Sequence, residues 1–156
     1  MKIVKKYDKL KFMKRPPSEE MELEALKPEL HSLFNRYNTI RSAYLFGSMA
    51  AGIASERSDV DVAVRLMPGI SPEDVYGIRL TLMDDLEQIF HYPADVLILN
   101  NASLKMIHQV FRYGISIYIR HTDEETEYRI RKQKAYFDFL YYIDKERLDM
   151  KEYYGA

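Results

Sequence analysis

The stretch Ser58–Leu66, SDVDVAVRL, constrains this chain more than any other segment. Apolar and polar residues alternate strictly through it. A β-strand places successive side chains on opposite faces, so Val60, Val62 and Val64 share one face while Asp59, Asp61 and Ala63 share the other. The valine row demands burial, and a single amphipathic strand cannot supply it. The segment therefore requires a sheet whose valine side is covered by a second layer.

The remaining chain supplies both. Ser42–Phe46 (SAYLF), Ala94–Leu99 (ADVLIL) and Ile115–Arg120 are further short apolar runs, read as strands. Met67-Pro68-Gly69 reads as a turn. Ser71-Pro72-Glu73-Asp74 combines an N-cap, a proline at the first helical position and acids in the first turn, and opens a helix to about Phe90. Ser103 caps a helix to about Tyr113, ended by Gly114. Ser18 is read as the cap of a helix to about Tyr37 with Leu26, Leu30, Leu33, Phe34 and Tyr37 on one face. Pro28 inside it makes a second helix starting there an equal alternative. Glu124–Glu152 has helical spacing throughout, with an apolar stripe of Ile130, Phe137, Leu140, Tyr141 and Leu148. Strands alternating with helices predict an α/β (α+β) domain with a mixed sheet flanked by helices and a long C-terminal helix. The expected organisation is a basic arm over 1–17, a domain over 18–121 and a C-terminal helix over 122–156 that packs on the domain or docks a partner.

Composition narrows the chemistry. At 156 residues the chain suits one domain. It has no cysteine, which excludes a disulfide scaffold, a thiolate metal site and a thiol nucleophile. No apolar stretch has the roughly 18 residues of a membrane span. The start, MKIVKKYDKLKFMKRPP, lacks the apolar segment of a secretory signal, and a cytoplasmic location is expected. The net charge of −1 conceals an asymmetry: +6 over residues 1–15, −5 over 16–120 and −2 over 121–156. The basic arm is read as a solvated segment or an edge strand guarded by lysines, with no nucleic-acid partner, because no aromatic stacking platform accompanies it. His31, His91, His108 and His121 are scattered and read as structural, and the eight methionines as core filler.

The chemistry concentrates in Gly47–Val64, GSMAAGIASERSDVDVAV. Gly47-Ser48 directly follows a buried strand, where a glycine lets the backbone turn sharply and approach a ligand. A short helix starting there would offer free N–H groups and a hydroxyl to phosphate. Ten residues on, Asp59 and Asp61 share a strand face, and two carboxylates held so close repel unless a hard cation such as Mg²⁺ lies between them. Asp95 supplies a possible third carboxylate; four apolar residues follow it, an odd place for a solvated acid. Three acids on adjacent strands can hold two metal ions about 4 Å apart for in-line displacement at phosphorus.

These residues resemble the signature of the DNA polymerase β-like nucleotidyltransferase superfamily: Gly-Ser, ten residues, Asp-x-Asp. Within it they are most similar to the minimal nucleotidyltransferases (MNT). Gly52 follows Ser48 by four residues and Ser58 directly precedes Asp59, as in the family, and Asp95-Val96-Leu97 matches the family's third acid. The resemblance spans about Pro28–Arg120. It implies transfer of a nucleoside monophosphate from ATP to a hydroxyl with release of pyrophosphate. Gly47 and Ser48 would hold the β- and γ-phosphates, with Ser58 beside them in the nucleotide-binding set. Asp59 and Asp61 would bind both Mg²⁺ ions, and Asp95 would bind one and sit beside the attacking hydroxyl. One departure stands out: the family often has arginines where this chain has Met49-Ala50-Ala51, with Arg57, Arg41 or Arg65 as possible stand-ins.

MNT proteins are commonly paired with HEPN-domain RNase toxins, so the resemblance further implies an antitoxin that adenylylates a tyrosine of its HEPN partner, in a hetero-oligomer with it. Two other readings are a non-catalytic antitoxin acting by binding alone and a small-molecule, aminoglycoside-type nucleotidyltransferase. The missing extra substrate domain weighs against the last. Tyr128, Tyr136, Tyr141, Tyr142, Tyr153 and Tyr154 in the C-terminal segment suit either a docking surface or packing on the domain.

Overall fold

A computed structural model of the chain describes residues 16–50 and 59–155, with the backbone alone for 16–22, Ser48 and Met49. Residues 1–15 of the expected arm (1–17), Gly52 and Ser58 lie outside the described residues; Pro16 and Pro17 belong to the first helix. The elements run α1 (Pro16–Arg36), β1 (Ile40–Phe46), a single helical turn α2 (Gly47–Ala50), β2 (Val60–Leu66), α3 (Pro72–Phe90), β3 (Ala94–Ile98), a 3₁₀ turn (Leu99–Asn101), α4 (Leu104–Tyr113), β4 (Ile115–Ile119) and α5 (Thr122–Tyr154).

The strands form one mixed sheet in the order β3-β2-β1-β4. β2 and β3 run parallel, while β1 is antiparallel to both β2 and β4. The valine row of β2 behaves as its alternation requires. Val60, Val62, Val64 and Leu66 are fully buried with Leu30, Leu33 and Phe34 of α1 and Leu82, Leu86 and Phe90 of α3. The opposite face carries a smaller cluster: Tyr44, Ala63, Leu99, Ile107 and Val110, with Phe46, Leu97 and Phe111 at its margin. Asp61 belongs to this second face by strand alternation.

Caps act where the residue types require them. Ser71 Oγ accepts from Asp74 N to start α3, and Ser103 Oγ accepts from Met106 N to start α4. The side-chain amide of Asn100 both donates to Leu66 O and accepts from Leu66 N, extending the ladder at the end of β2. The structure chooses between the alternatives at Pro28 and gives Gly114 its reason. Pro28 does not divide its segment: α1 is one helix through it, beginning at Pro16, ahead of Ser18. Gly114 ends α4 with an ordinary φ of −77°. What requires glycine there is space, since a Cβ would meet Val110 O and lie 3.1 Å from Leu45 O.

The 33-residue α5 is about 50 Å long and outruns the sheet. Its first turns are anchored by a buried polar knot. Glu125, 1% exposed, accepts from Arg65 Nε at 2.8 Å and from the Tyr44 hydroxyl at 2.5 Å. Arg65 also reaches Glu124 at 3.1 Å. Farther on, Tyr136 stacks on His108 of α4. The expected apolar stripe faces outward: Ile130, Phe137, Leu140, Tyr141 and Leu148 are all exposed, Phe137 with its ring edge-on to His108.

Candidate active site

β1 runs straight into the acids. Its last residue, Phe46, pairs with Asp61, and Gly47 follows at φ +72°, a left-handed backbone that favours glycine. A Cβ on Gly47 would overlap Asp61 Oδ2, so the missing side chain lets the backbone lie directly against that carboxylate. The single helical turn α2 begins at Gly47 itself.

Asp61 and Asp95 are Cα partners across the parallel β2–β3 ladder. Asp59 lies just ahead of β2, exposed, two residues before Asp61. Asp61 is half-buried. Burial first, then the charges of Asp95 and Asp59, pushes its carboxyl above the usual carboxylate value. The expected inaccessibility of Asp95 is corrected: its side chain is 55% exposed, on the outer strand of the sheet among the described residues. The apolar residues after it are covered on both faces of the sheet: Val96 and Ile98 join the main core, Leu97 and Leu99 the smaller cluster.

Asp95 has partners that were not foreseen. Its Oδ1 accepts from Arg79 Nη2 at 2.7 Å and from Val96 N at 2.9 Å. Arg79 Nε donates to Val96 O at 2.7 Å. Arg79 sits mid-helix in α3, sixteen residues before Asp95, and no motif marks it.

Among the described residues, no group of three acids, histidines or cysteines is drawn together into a ready metal site. The donor set nevertheless fits a hard divalent cation. Three carboxylates are grouped at one end of two adjacent strands, and Asp61 feels the repulsion of both others. Such a cation removes that repulsion.

The proposed stand-in arginines lie elsewhere or are engaged. Arg65 pairs with Ser42, four residues along β1 from the Phe46–Asp61 pair, roughly 13 Å away by strand rise. It is buried against Glu125. Arg41 lies near Glu124, at 3.9 Å. Arg57 is outside the described residues. On the acids' face of the sheet, Arg112, Arg129 and Lys132 line a cavity of about 140 Å³ between α4 and α5 with His108, Phe111 and Gln133. No described carboxylate forms an ion pair with these three cations.

A profile of the family described as "Polymerase beta, Nucleotidyltransferase" matches residues 28–123. The chain belongs to this nucleotidyltransferase family. The matched segment runs from mid-α1 through β4 and holds Gly47, Asp59, Asp61 and Asp95.

Solved structures share the fold. A mutant toxin–antitoxin MntA-HpeT structure superposes with a TM-score of 0.61 at 18% identity, covering 83% of this chain and 98% of the other. A toxin–antitoxin structure with AMP-PNP gives 0.60 at 21%, covering 85% and 98%. A tri-AMPylated Shewanella oneidensis HEPN toxin in complex with MNT antitoxin gives 0.58 at 18%, covering 86% and 99%. No curated protein matches the chain in sequence. Among the described residues, no helix is long and apolar enough to cross a membrane.

Proposed function

We propose that this nucleotidyltransferase is an antitoxin that transfers AMP from ATP to a tyrosine hydroxyl of a HEPN-type RNase toxin, releasing pyrophosphate, with Mg²⁺ as cofactor. The carrying observation is the pairing of Asp61 with Asp95 beside the Gly47 turn. Similarity in fold to structures of a tri-AMPylated HEPN toxin complex and of a toxin–antitoxin with AMP-PNP supports the choice of partner and nucleotide.

In this reading Asp59 and Asp61 hold two Mg²⁺ ions and Asp95 holds one of them. When bound, the ions lower the pKa of the acceptor hydroxyl and offset charge developing on the transferred phosphate. The chain's own groups do the rest. Gly47, Ser48 and Ser58 bind phosphate oxygens. Asp95 stands beside the acceptor hydroxyl to take its proton.

A second reading, neutralisation by binding alone, draws on the exposed apolar side chains of α5 beyond Tyr136. One experiment separates the two. The protein is incubated with ATP, Mg²⁺ and the product of the neighbouring gene, and intact masses are taken. AMP-sized additions on that partner, abolished by Asp59→Ala or Asp61→Ala, support transfer. A partner whose mass stays constant while its RNase activity is blocked establishes occlusion.

A further inference from the structure

Arg79 belongs to the helical layer behind the sheet, yet its guanidinium reaches round the β3 edge to the acids' side. Nε donates to Val96 O and Nη2 donates to Asp95 Oδ1, each at 2.7 Å. Val96 N donates to the same Oδ1 at 2.9 Å. The three contacts close a ring through the guanidinium, the carboxylate and the backbone of Val96. Oδ1 accepts twice within it, and no described donor reaches Oδ2.

We propose that Arg79 is a positioning residue for the site: pinned to the edge strand, its guanidinium holds Oδ1 of Asp95 back and presents Oδ2 to a divalent cation and the acceptor hydroxyl. The proposal rests on the nucleotidyltransferase reading of the three acids. The physical reason is preorganisation. An exposed aspartate at a strand edge samples several rotamers and must be ordered whenever a cation binds. A forked, planar cation anchored to a backbone carbonyl orders it beforehand, and a lysine, with one point charge, cannot hold both ends of the ring. A purely structural role, tying α3 to β3 and covering an open sheet edge, is the competing account.

The test uses full-length wild type, Arg79→Ala, Arg79→Lys, Asp95→Asn and the Arg79→Ala/Asp95→Asn double variant. Mn²⁺ affinity is measured without nucleotide by calorimetry or electron paramagnetic resonance. Transfer is measured as kcat and ATP KM. Arg79→Ala is expected to weaken Mn²⁺ about tenfold and to lower kcat roughly 10–100-fold, the range for groups supporting a metal ligand. The ATP KM is expected to change less than about threefold, since Oδ2 of Asp95 is placed toward metal and acceptor. Arg79→Lys recovers part of the loss, and the double variant binds Mn²⁺ no worse than Asp95→Asn alone.

Mn²⁺ affinity and kcat of Arg79→Ala within twofold of wild type, with only the melting temperature lowered, overturn the proposal. If Arg79→Ala does not fold, Arg79→Lys carries the same comparison, and wild-type Mn²⁺ affinity in it overturns the proposal equally. A wild type that binds Mn²⁺ in an Arg79-dependent way but transfers no AMP leaves the positioning role standing and removes the transferase reading. A wild type that transfers AMP while Arg79→Ala matches it does the reverse.

Discussion

Asp61 and Asp95 face one another as Cα partners across two parallel strands, and Gly47 presses its backbone against the Asp61 carboxylate from the third side. This close placement of like charges opposes folding of the metal-free protein. Burial, Asp95 and Asp59 all raise the Asp61 carboxyl. A carboxyl raised on folding stabilises the native state in acid, and that stability is lost as pH climbs from the unfolded value of about 4 through the higher folded one. Asp61→Asn is therefore expected to melt about 1–3 °C above wild type at pH 7 in EDTA, a modest figure because the group is only half-buried. The difference should vanish near pH 4 and reverse in millimolar Mn²⁺, which only the wild type binds well. Scanning calorimetry at the two pH values checks this; a less stable Asp61→Asn in EDTA would show that the carboxylate is satisfied without metal.

Gly47 carries two requirements at once, a φ of +72° and an empty space beside Asp61 Oδ2. Gly47→Ala should cost about 1–2 kcal/mol in urea denaturation, from the left-handed backbone and displacement of the carboxylate. AMP transfer should fall at least tenfold. A variant with both properties unchanged would mean that the turn relaxes freely.

Glu125 is buried with Arg65 and the Tyr44 hydroxyl and anchors the start of α5. Burial and the hydrogen bond to Glu125 hold the Tyr44 phenol well above its usual pKa, so it stays a donor. Glu125→Ala leaves a buried guanidinium without its partner and should cost about 3–5 kcal/mol. Replacing the pair with Arg65→Met and Glu125→Leu should regain most of it, apart from the stranded tyrosine hydroxyl. Urea titrations of the single and double variants measure the difference.

The outer part of α5 contributes little to the domain. Leu148 is 61% and Tyr153 82% exposed, and the last stacking contact to α4 is made by Tyr136 and Phe137 on His108. A chain ending at residue 139 should melt within about 2 °C of the full chain, since almost no apolar area is lost from the core. If transfer depends on docking through this helix, the truncated protein should also lose modification of its partner. A large drop in melting temperature would place the outer helix in the fold instead.

The fold class was legible because burial imposes periodicity. The valines of β2 announced a sheet with one covered face, and Ser71 and Ser103 marked helix starts through their own hydrogen-bonding chemistry. Gly47, Asp59, Asp61 and Asp95 could be named as a candidate site because each has a fixed place relative to a strand, and strand pairing sets Asp61 beside Asp95. The outward stripe on α5 was not foreseeable in its role: helical spacing says which residues share a face, and not what covers it.

What the sequence determined by itself was local and periodic: element types, the phase of each strand and the residues able to carry the chemistry. Tertiary structure alone decided which strands became neighbours, and so set Asp61 opposite Asp95 and left β3 at an open edge. It also sent Arg65 to Glu125 at the far end of the sheet and brought Arg79 round the edge to Asp95. Long cationic side chains reach across elements to partners sixteen or sixty residues away, and no spacing along the chain encodes where such a reach ends.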